Sequence, residues 1–160
     1  MPSARQSFVV HATPTEMRSV IVEFGRYPEF LPAMEETTVL RSLAYSPSEW
    51  TVAFSLNLIR RVAYTLRLWE DARTTSDGSI VIRWSLVEGA LFKANEGSWT
   101  LTPMLAPDGA VWTTAEYQID VELDVFLPRP LLSSLTGSNL PLALAAFKDR
   151  AERRIARVGL

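Results

Sequence analysis

One stretch near the end of the chain, Asn139 to Val158, constrains the fold more than any other. Leu140, Leu144, Phe147, Ala151 and Ile155 recur at intervals of four, three, four and four, which puts them on one face of a helix. Asn139 suits an N-cap, Pro141 falls in the first turn where its missing N–H does no harm, and Gly159 stands where a C′ glycine belongs. Lys148, Asp149, Arg150, Glu152, Arg153 and Arg154 occupy the other face. At about 1.5 Å per residue this helix is a rod of roughly 30 Å. Its apolar stripe needs a partner, either a dense core or the wall of a cavity.

What precedes the rod is mostly strand. Trp50, Val52, Phe54, Leu56 and Leu58 hold even positions, as do Val62, Tyr64, Leu66 and Leu68. Thr51, Ser55, Asn57, Arg61, Thr65 and Arg67 lie between them. One face is buried and the other wet. The run is too long for one ordinary strand, so a turn is expected near Asn57 to Arg61. Gln6 to Ala12 and Thr37 to Tyr45 read as further strands, the second ending in a turn at Ser46-Pro47. Asp77-Gly78 is a hairpin signal. After it Ile80, Ile82, Trp84 and Leu86 share a face, and Gly89 ends the strand. Phe92 to Met104 follows, with Asn95, Gly97, Trp99 and Leu101 on one side. Pro107-Asp108-Gly109 is a turn, because Pro presets one dihedral and Gly permits a positive one. Val111, Thr113, Ala115, Tyr117, Ile119, Val121 and Leu123 then alternate against Trp112, Thr114, Glu116, Gln118, Asp120 and Glu122. Pro128 and Pro130 close the strands, and Leu131 to Leu135 reads as a short helical segment.

Helical punctuation lies between the first two strands. Thr13-Pro14-Thr15-Glu16 is a capping box with Pro at the first helical position. Met17, Val20, Ile21 and Phe24 form an apolar face that Gly25 is expected to close. Tyr27-Pro28 opens a second short piece carrying Phe30 and Leu31, which stops near Pro32. The order is one strand, two short helices, six strands and one long helix. Hairpin turns make the sheet antiparallel, and helices set apart from such a sheet give an α+β fold. A curved sheet of about seven strands has a concave face that one helix covers only in part.

Composition removes several classes of function. A chain of 160 residues is expected to form one domain. With 48% apolar and 21% charged residues it reads as globular. The net charge of −2 supplies no field to collect nucleic acid. The absence of cysteine excludes disulfides, thiolate catalysis and cysteine-bound zinc. No signal-peptide-like or membrane-spanning run occurs, so a cytoplasmic protein is expected, with peripheral membrane contact left open.

Three stretches carry a resemblance. Tyr27-Pro28-Glu29-Phe30-Leu31-Pro32 is close to a YPxFLP segment that follows the first helix of the START/SRPBCC superfamily, the helix-grip fold. Gly89-Ala90-Leu91-Phe92 with Gly97-Ser98-Trp99 is similar to its GPF…GxW pattern, although Ala90-Leu91 replaces the usual Pro and adds a residue. Phe147-Lys148-Asp149-Arg150-Ala151-Glu152 resembles its helix end. Within the superfamily the chain looks like the polyketide cyclase/dehydrase and coenzyme-Q-binding START families. The resemblance implies a sheet wrapped around the long helix and a cavity between them for a hydrophobic molecule: a lipid, a quinone or a polyketide-like aromatic. It also admits a cyclase/dehydrase enzyme of the aromatase type, or a ribosome-associated, toxin-like interaction module, because fold does not fix function.

The search for chemistry is mostly negative. His11 is the single histidine and suits a surface role at a strand end. No phosphate loop, HExxH or GxSxG occurs, and neither a metal nor a cofactor is expected. The inward face is richer. Tyr64, Trp84, Asn95, Trp99, Thr113 and Tyr117 fall at core parity, a mostly apolar set with a few placed polar groups. An ordinary aromatic core is the alternative. Asn95 must find hydrogen bonds, since burying an unpaired amide costs roughly 1–3 kcal/mol; a ligand carbonyl or a water is expected to supply one. The expected ligand wall comprises Phe30, Leu31, Leu140, Leu144 and Phe147 facing Phe54, Trp84, Trp99 and Tyr117, with Ala145, Ala146 and Ala151 leaving room beside them. Residues 126–137 are its expected entrance. In an enzyme, Tyr64 and Tyr117 are the candidate proton donors. Trp69 and Trp112 sit at wet parity and, with 125–128, suggest a partner or membrane surface. Arg150, Arg153, Arg154 and Arg157 either complement the helix dipole or meet an anionic surface.

Overall fold

A computed structural model describes residues 3–43, 48–57, 61–71, 78–123 and 139–158. The strands are β1 (Ser3–Val10), β2 (Met34–Leu43), β3 (Glu49–Asn57), β4 (Arg61–Glu70), β5 (Ile80–Gly89), β6 (Phe92–Leu105) and β7 (Val111–Leu123). Helix α1 spans Pro14–Ile21, a 3-10 turn spans Phe24–Glu29, and helix α2 spans Asn139–Val158. The strands form one seven-stranded antiparallel sheet in the order β1-β7-β6-β5-β4-β3-β2. The expected α+β helix-grip architecture is what forms.

The long alternation divides where expected. Asn57 pairs with Arg61, so β3 and β4 are a hairpin in continuous register from Glu49–Trp69 onwards. Register shifts occur between Met34 and Glu36 and between Val39 and Arg41 in β2, at Thr65/Leu66 in the β4–β5 pair, and between Phe92 and Ala94 in β6. Each extra residue bends its strand and strengthens the local twist, which curls the sheet. The β6 shift also lets Phe92 and Asn95 both be buried although their parities differ. At the β6–β7 turn Gly109 has φ +86, its N–H donates to Ala106 O, and Asp108 Oδ1 accepts from the Ala110 N–H.

Several boundaries differ from the sequence reading; β2 begins at Met34 and not at Thr37, and the 3-10 turn opens at Phe24 and not at Tyr27. β1 begins at Ser3 and ends at Val10, since pairing with β7 runs from Ser3–Asp120 to Val10–Thr113. Helix α1 opens on the expected capping box, with both Thr13–Glu16 hydrogen bonds present. It stops at Ile21 and not at Gly25. The buried Tyr27 hydroxyl turns back and donates to Ile21 O, satisfying a carbonyl of the last turn. The chain between then tightens into the 3-10 turn, and Gly25 falls inside it. Ala33 next adopts a left-handed φ of 64, a cost of about 1–2 kcal/mol for a residue with a Cβ. Its neighbours Pro32 and Met34 both line the cavity described below.

The α2 helix includes Asn139, so its cap position falls outside the described residues. The same holds for the expected features at Gly159, 46–47, 125–138 and the side chains of Ile155 and Arg157. The core lies between the concave sheet face, α1 and α2, and includes Met17, Phe24, Ile82, Leu101, Leu144 and Phe147. A bidentate pair from Arg18 to Glu70, at 2.9 and 3.0 Å, ties α1 to the end of β4. Among the described residues no helix is long and apolar enough to cross a membrane.

Candidate functional site

Between the concave sheet and α2 lies a cavity of about 180 Å³. Its aromatic lining is one connected series. Phe92 meets Tyr64, which stacks on Phe54; Phe54 meets Tyr27, and Tyr27 meets Phe147. Phe147 meets Trp99, Trp99 meets Tyr117, and Tyr117 meets Trp84. Successive ring centroids are 5.0–6.0 Å apart. Such pairs contribute about 0.5–1.5 kcal/mol each beyond area burial, so the wall is held in place by its own contacts. Every ring of the series faces the cavity. Strand parity delivers Phe54, Tyr64, Trp84, Trp99 and Tyr117, the 3-10 turn delivers Tyr27, and helical spacing delivers Leu140, Ala143 and Phe147 from α2.

Polar groups enter this wall at few points. Trp84 Nε1 donates to Asn95 Oδ1 at 3.1 Å. The sequence reading expects a ligand carbonyl or a water as a partner for Asn95; an indole across the β5–β6 pair serves the amide oxygen, and a carbonyl can serve only the amino group. Indole N–H is donor-only, so its partner in the carboxamide is the oxygen. The Asn95 amino group has no partner among the described residues, and Asn95 lines the cavity. Nor do the hydroxyls of Tyr64 and Tyr117, whereas Tyr27 is occupied with Ile21 O. Burial pushes all three phenols above their ordinary range, and neighbouring phenols add to this for Tyr27 and Tyr117. They stay protonated through neutral pH and act as donors. Since their folded pKa values are raised, their contribution to stability is complete below the ordinary phenol pKa near 10 and is lost only as pH rises beyond it. Ultraviolet titration should show three of the four tyrosines still un-ionised at about pH 11 in the folded protein. Two or more phenolates near the ordinary pKa, with far-ultraviolet circular dichroism unchanged, contradict this.

Of the residues expected in the ligand wall, Leu31, Phe54, Tyr64, Trp84, Asn95, Trp99, Tyr117, Leu140 and Phe147 line the cavity. Three do not. Thr113 is fully buried, and its hydroxyl donates to Ala12 O at 2.7 Å, fastening the chain after β1. Phe30 stands behind Phe147, with its centroid 5.4 Å away and the Arg150 guanidinium over its ring. Leu144 is buried one step round the helix from Ala143, which takes its place. Ala145 is exposed, so the room beside the helix is made at Ala143. Tyr27 and Phe92 were missed: a family-like YP turn hid the first, and the β6 register shift gave the second the wrong parity.

Comparison with known proteins follows from this geometry. Residues 10–148 match the family described as polyketide cyclase / dehydrase and lipid transport. The chain belongs to that family. The START-like resemblance of the sequence is thereby confirmed, and solved structures agree on the fold. A START superfamily protein from Mycobacterium smegmatis is 18% identical, with 94% of this chain and 97% of that one covered and a TM-score of 0.72. An aromatase/cyclase from Streptomyces sp. R1128 is 17% identical over 96% and 94%, with a TM-score of 0.75. Human StAR-related lipid transfer protein 5 is 14% identical over 96% and 76%, with a TM-score of 0.74. A search of curated proteins gives no match.

Outside the cavity this family member is occupied with its own contacts. Trp69 lies under the Arg67 guanidinium at 4.6 Å, and Trp112 stacks on exposed His11 at 3.9 Å. The register Trp69–Arg83–Ser98–Gln118 puts the two tryptophans three strands and six residues apart, roughly 25 Å from spacings of about 4.8 Å and 3.3 Å. They do not form one patch. Arg150 pairs with Glu29 at 3.1 Å, Arg153 with Asp149 at 2.9 Å, and Arg154 with Glu23. Arg150 and Arg154 thereby tie α2 to the 3-10 turn and to its cap residue Glu23, while the Arg153 pair stays within the helix. Glu152 accepts from the His11 backbone N–H at 2.8 Å and pairs with Lys148. Burial raises its pKa, but the His11 N–H and Lys148 outweigh that and hold the carboxyl below its usual range. Among the described residues no three metal-ligating side chains gather.

Proposed function

We propose that the protein binds one hydrophobic small molecule in the cavity between its sheet and α2, and that residues 1–160 act as a single START-like domain in doing so. The observation that carries this reading is the continuous series of rings around an open space. Aromatic cores of ordinary proteins close on themselves; here the rings face a space of about 180 Å³. The family, polyketide cyclase / dehydrase and lipid transport, and structural neighbours that include an aromatase/cyclase and lipid transfer proteins accord with it. Organic extraction of the purified protein followed by mass spectrometry, with native mass spectrometry after exposure to lipids, quinones and aromatics, is the test. A protein that carries no such compound and takes none up contradicts the proposal.

A second reading is a cyclase/dehydrase, and the free Tyr64 and Tyr117 hydroxyls favour it. Both can donate to a carbonyl oxygen of a folded substrate, with the gain coming from positioning. Neither accepts a proton readily, and among the described lining residues there is no carboxylate, imidazole or amine to do so. Binding is therefore placed first. Turnover that survives Tyr64→Phe together with Tyr117→Phe removes the enzymatic role of these residues.

A further inference from the structure

Resting on that reading, we infer that the preferred ligand is a neutral, one-ring aromatic molecule bearing a hydrogen-bond acceptor such as a carbonyl, with the acceptor against the sheet and the ring beneath α2.

Size comes first. The space is about 180 Å³. An apolar cavity of about 150 Å³ in another protein admits a benzene molecule, whereas drug-sized ligands occupy about 300–1,000 Å³. One ring with a short substituent fits; a fused polycycle or a long acyl chain does not fit without reshaping the wall. The aromatic series makes reshaping costly, since moving Phe147 disturbs its contacts with Tyr27, Phe30 and Trp99 together.

Polarity comes next, and it is one-sided. Among the described lining residues, those from α2 are all apolar: Leu140, Ala143 and Phe147. From the sheet the cavity receives the polar side chains of Ser3 on β1, Tyr64 on β4, Asn95 on β6 and Tyr117 on β7. The Trp84 indole occupies one lone pair of the Asn95 oxygen, and the amide N–H groups have no partner among the described residues. Both phenols are protonated and have no partner among the described residues. A sheet wall of donors facing an apolar helix wall matches a molecule with an acceptor at one end and a bare ring at the other. Charge completes the argument. Among the described lining residues no ionised side chain is present to balance a carboxylate or an ammonium, and an unpaired ion is strongly disfavoured in such a site.

Titration of the full chain with acetophenone, ethylbenzene, benzoate and palmitate, followed by ligand-observed NMR and calorimetry, tests this. Acetophenone and ethylbenzene are close in shape, and only the ketone carries an acceptor. Acetophenone is expected to bind at least about tenfold more tightly than ethylbenzene, because the hydrocarbon leaves buried donors unpaired. Benzoate at pH 7 is expected to bind more weakly than acetophenone. The preference for ketone over hydrocarbon should shrink in Tyr117→Phe and in Tyr64→Phe. Equal affinity for ketone and hydrocarbon overturns the inference and leaves the hydrophobic-ligand reading standing. Tight palmitate binding that displaces acetophenone overturns the size argument in the same way. Failure of all four compounds, and of the extraction experiment, overturns the underlying reading as well. The wild-type comparison decides the matter even if a tyrosine variant does not fold.

Discussion

Ala143→Phe is expected to abolish binding of the cavity ligand while leaving the fold intact. Ala143 is half-buried on the α2 face that looks into the cavity, between Leu140 and Phe147 along one side of the helix. A phenyl ring placed there occupies much of a 180 Å³ space, given that a void of about 150 Å³ suffices for benzene. The ring supplies from within the protein what the ligand supplies from outside. Affinity should fall at least ~100-fold, equivalent to about 2.7 kcal/mol. Stability should change little or rise, because the added ring fills a gap without crowding a packed core. Ala145→Phe on the exposed side of the same helix is the control and should bind normally. The measurement is a side-by-side titration of both variants with acetophenone, with thermal unfolding in parallel. Undiminished binding by a folded Ala143→Phe protein counts against the cavity as the site.

Gly97→Ala is expected to cost about 3 kcal/mol of stability, at the upper end of what over-packing costs. Gly97 sits mid-strand in β6, opposite Trp84 on one side and Ile119 on the other. A Cβ there falls 2.3 Å from the Gln118 carbonyl oxygen and 2.3 Å from Trp84 Cζ2. The first obstacle is backbone in a paired strand and cannot step aside. The second is the indole that packs on Tyr117 and donates to Asn95. Glycine in a strand interior ordinarily weakens it; here it gives room for a ring to lie against the backbone. For a chain of this size the expected fall in Tm is roughly 6–12 °C. Chemical denaturation checks the free energy. A loss under about 1 kcal/mol means that the indole moves freely, which contradicts a rigid cavity wall.

Trp84 shows how far the sequence leads and where it stops. Its even position among Ile80, Ile82 and Leu86 identifies it as inward-facing. Nothing local says that its ring covers Gly97 or that its N–H takes the oxygen of Asn95, because both contacts cross from β5 to β6. The arginines of α2 teach the same lesson. Their clustering is plain in the sequence, but Glu23 and Glu29, which pair with Arg154 and Arg150, lie at the two ends of the 3-10 segment, as its cap and its last residue, far earlier in the chain. Thr113 reads as a polar group at core parity, and so does Asn95. One reaches a backbone carbonyl and the other a cavity, a difference that depends only on what stands opposite.

By itself the sequence determined the order of elements, the antiparallel sheet, the capped first helix, the buried face of most strands and the family. Those properties follow from local rules: periods of 2 and 3.6 in hydrophobicity, capping residues and turn residues act over a few positions. Only the tertiary structure decided which inward residues border empty space. That choice is set by how far α2 stands from the curved sheet. The distance follows from contacts between distant segments, with Tyr27 and Trp99 propping Phe147 and the Arg150 and Arg154 pairs holding the helix to the 3-10 turn and its cap residue. A register shift of one residue in β6 changes which of its side chains the cavity sees. Volume is a small remainder between large packed surfaces, and no local pattern of residues encodes it.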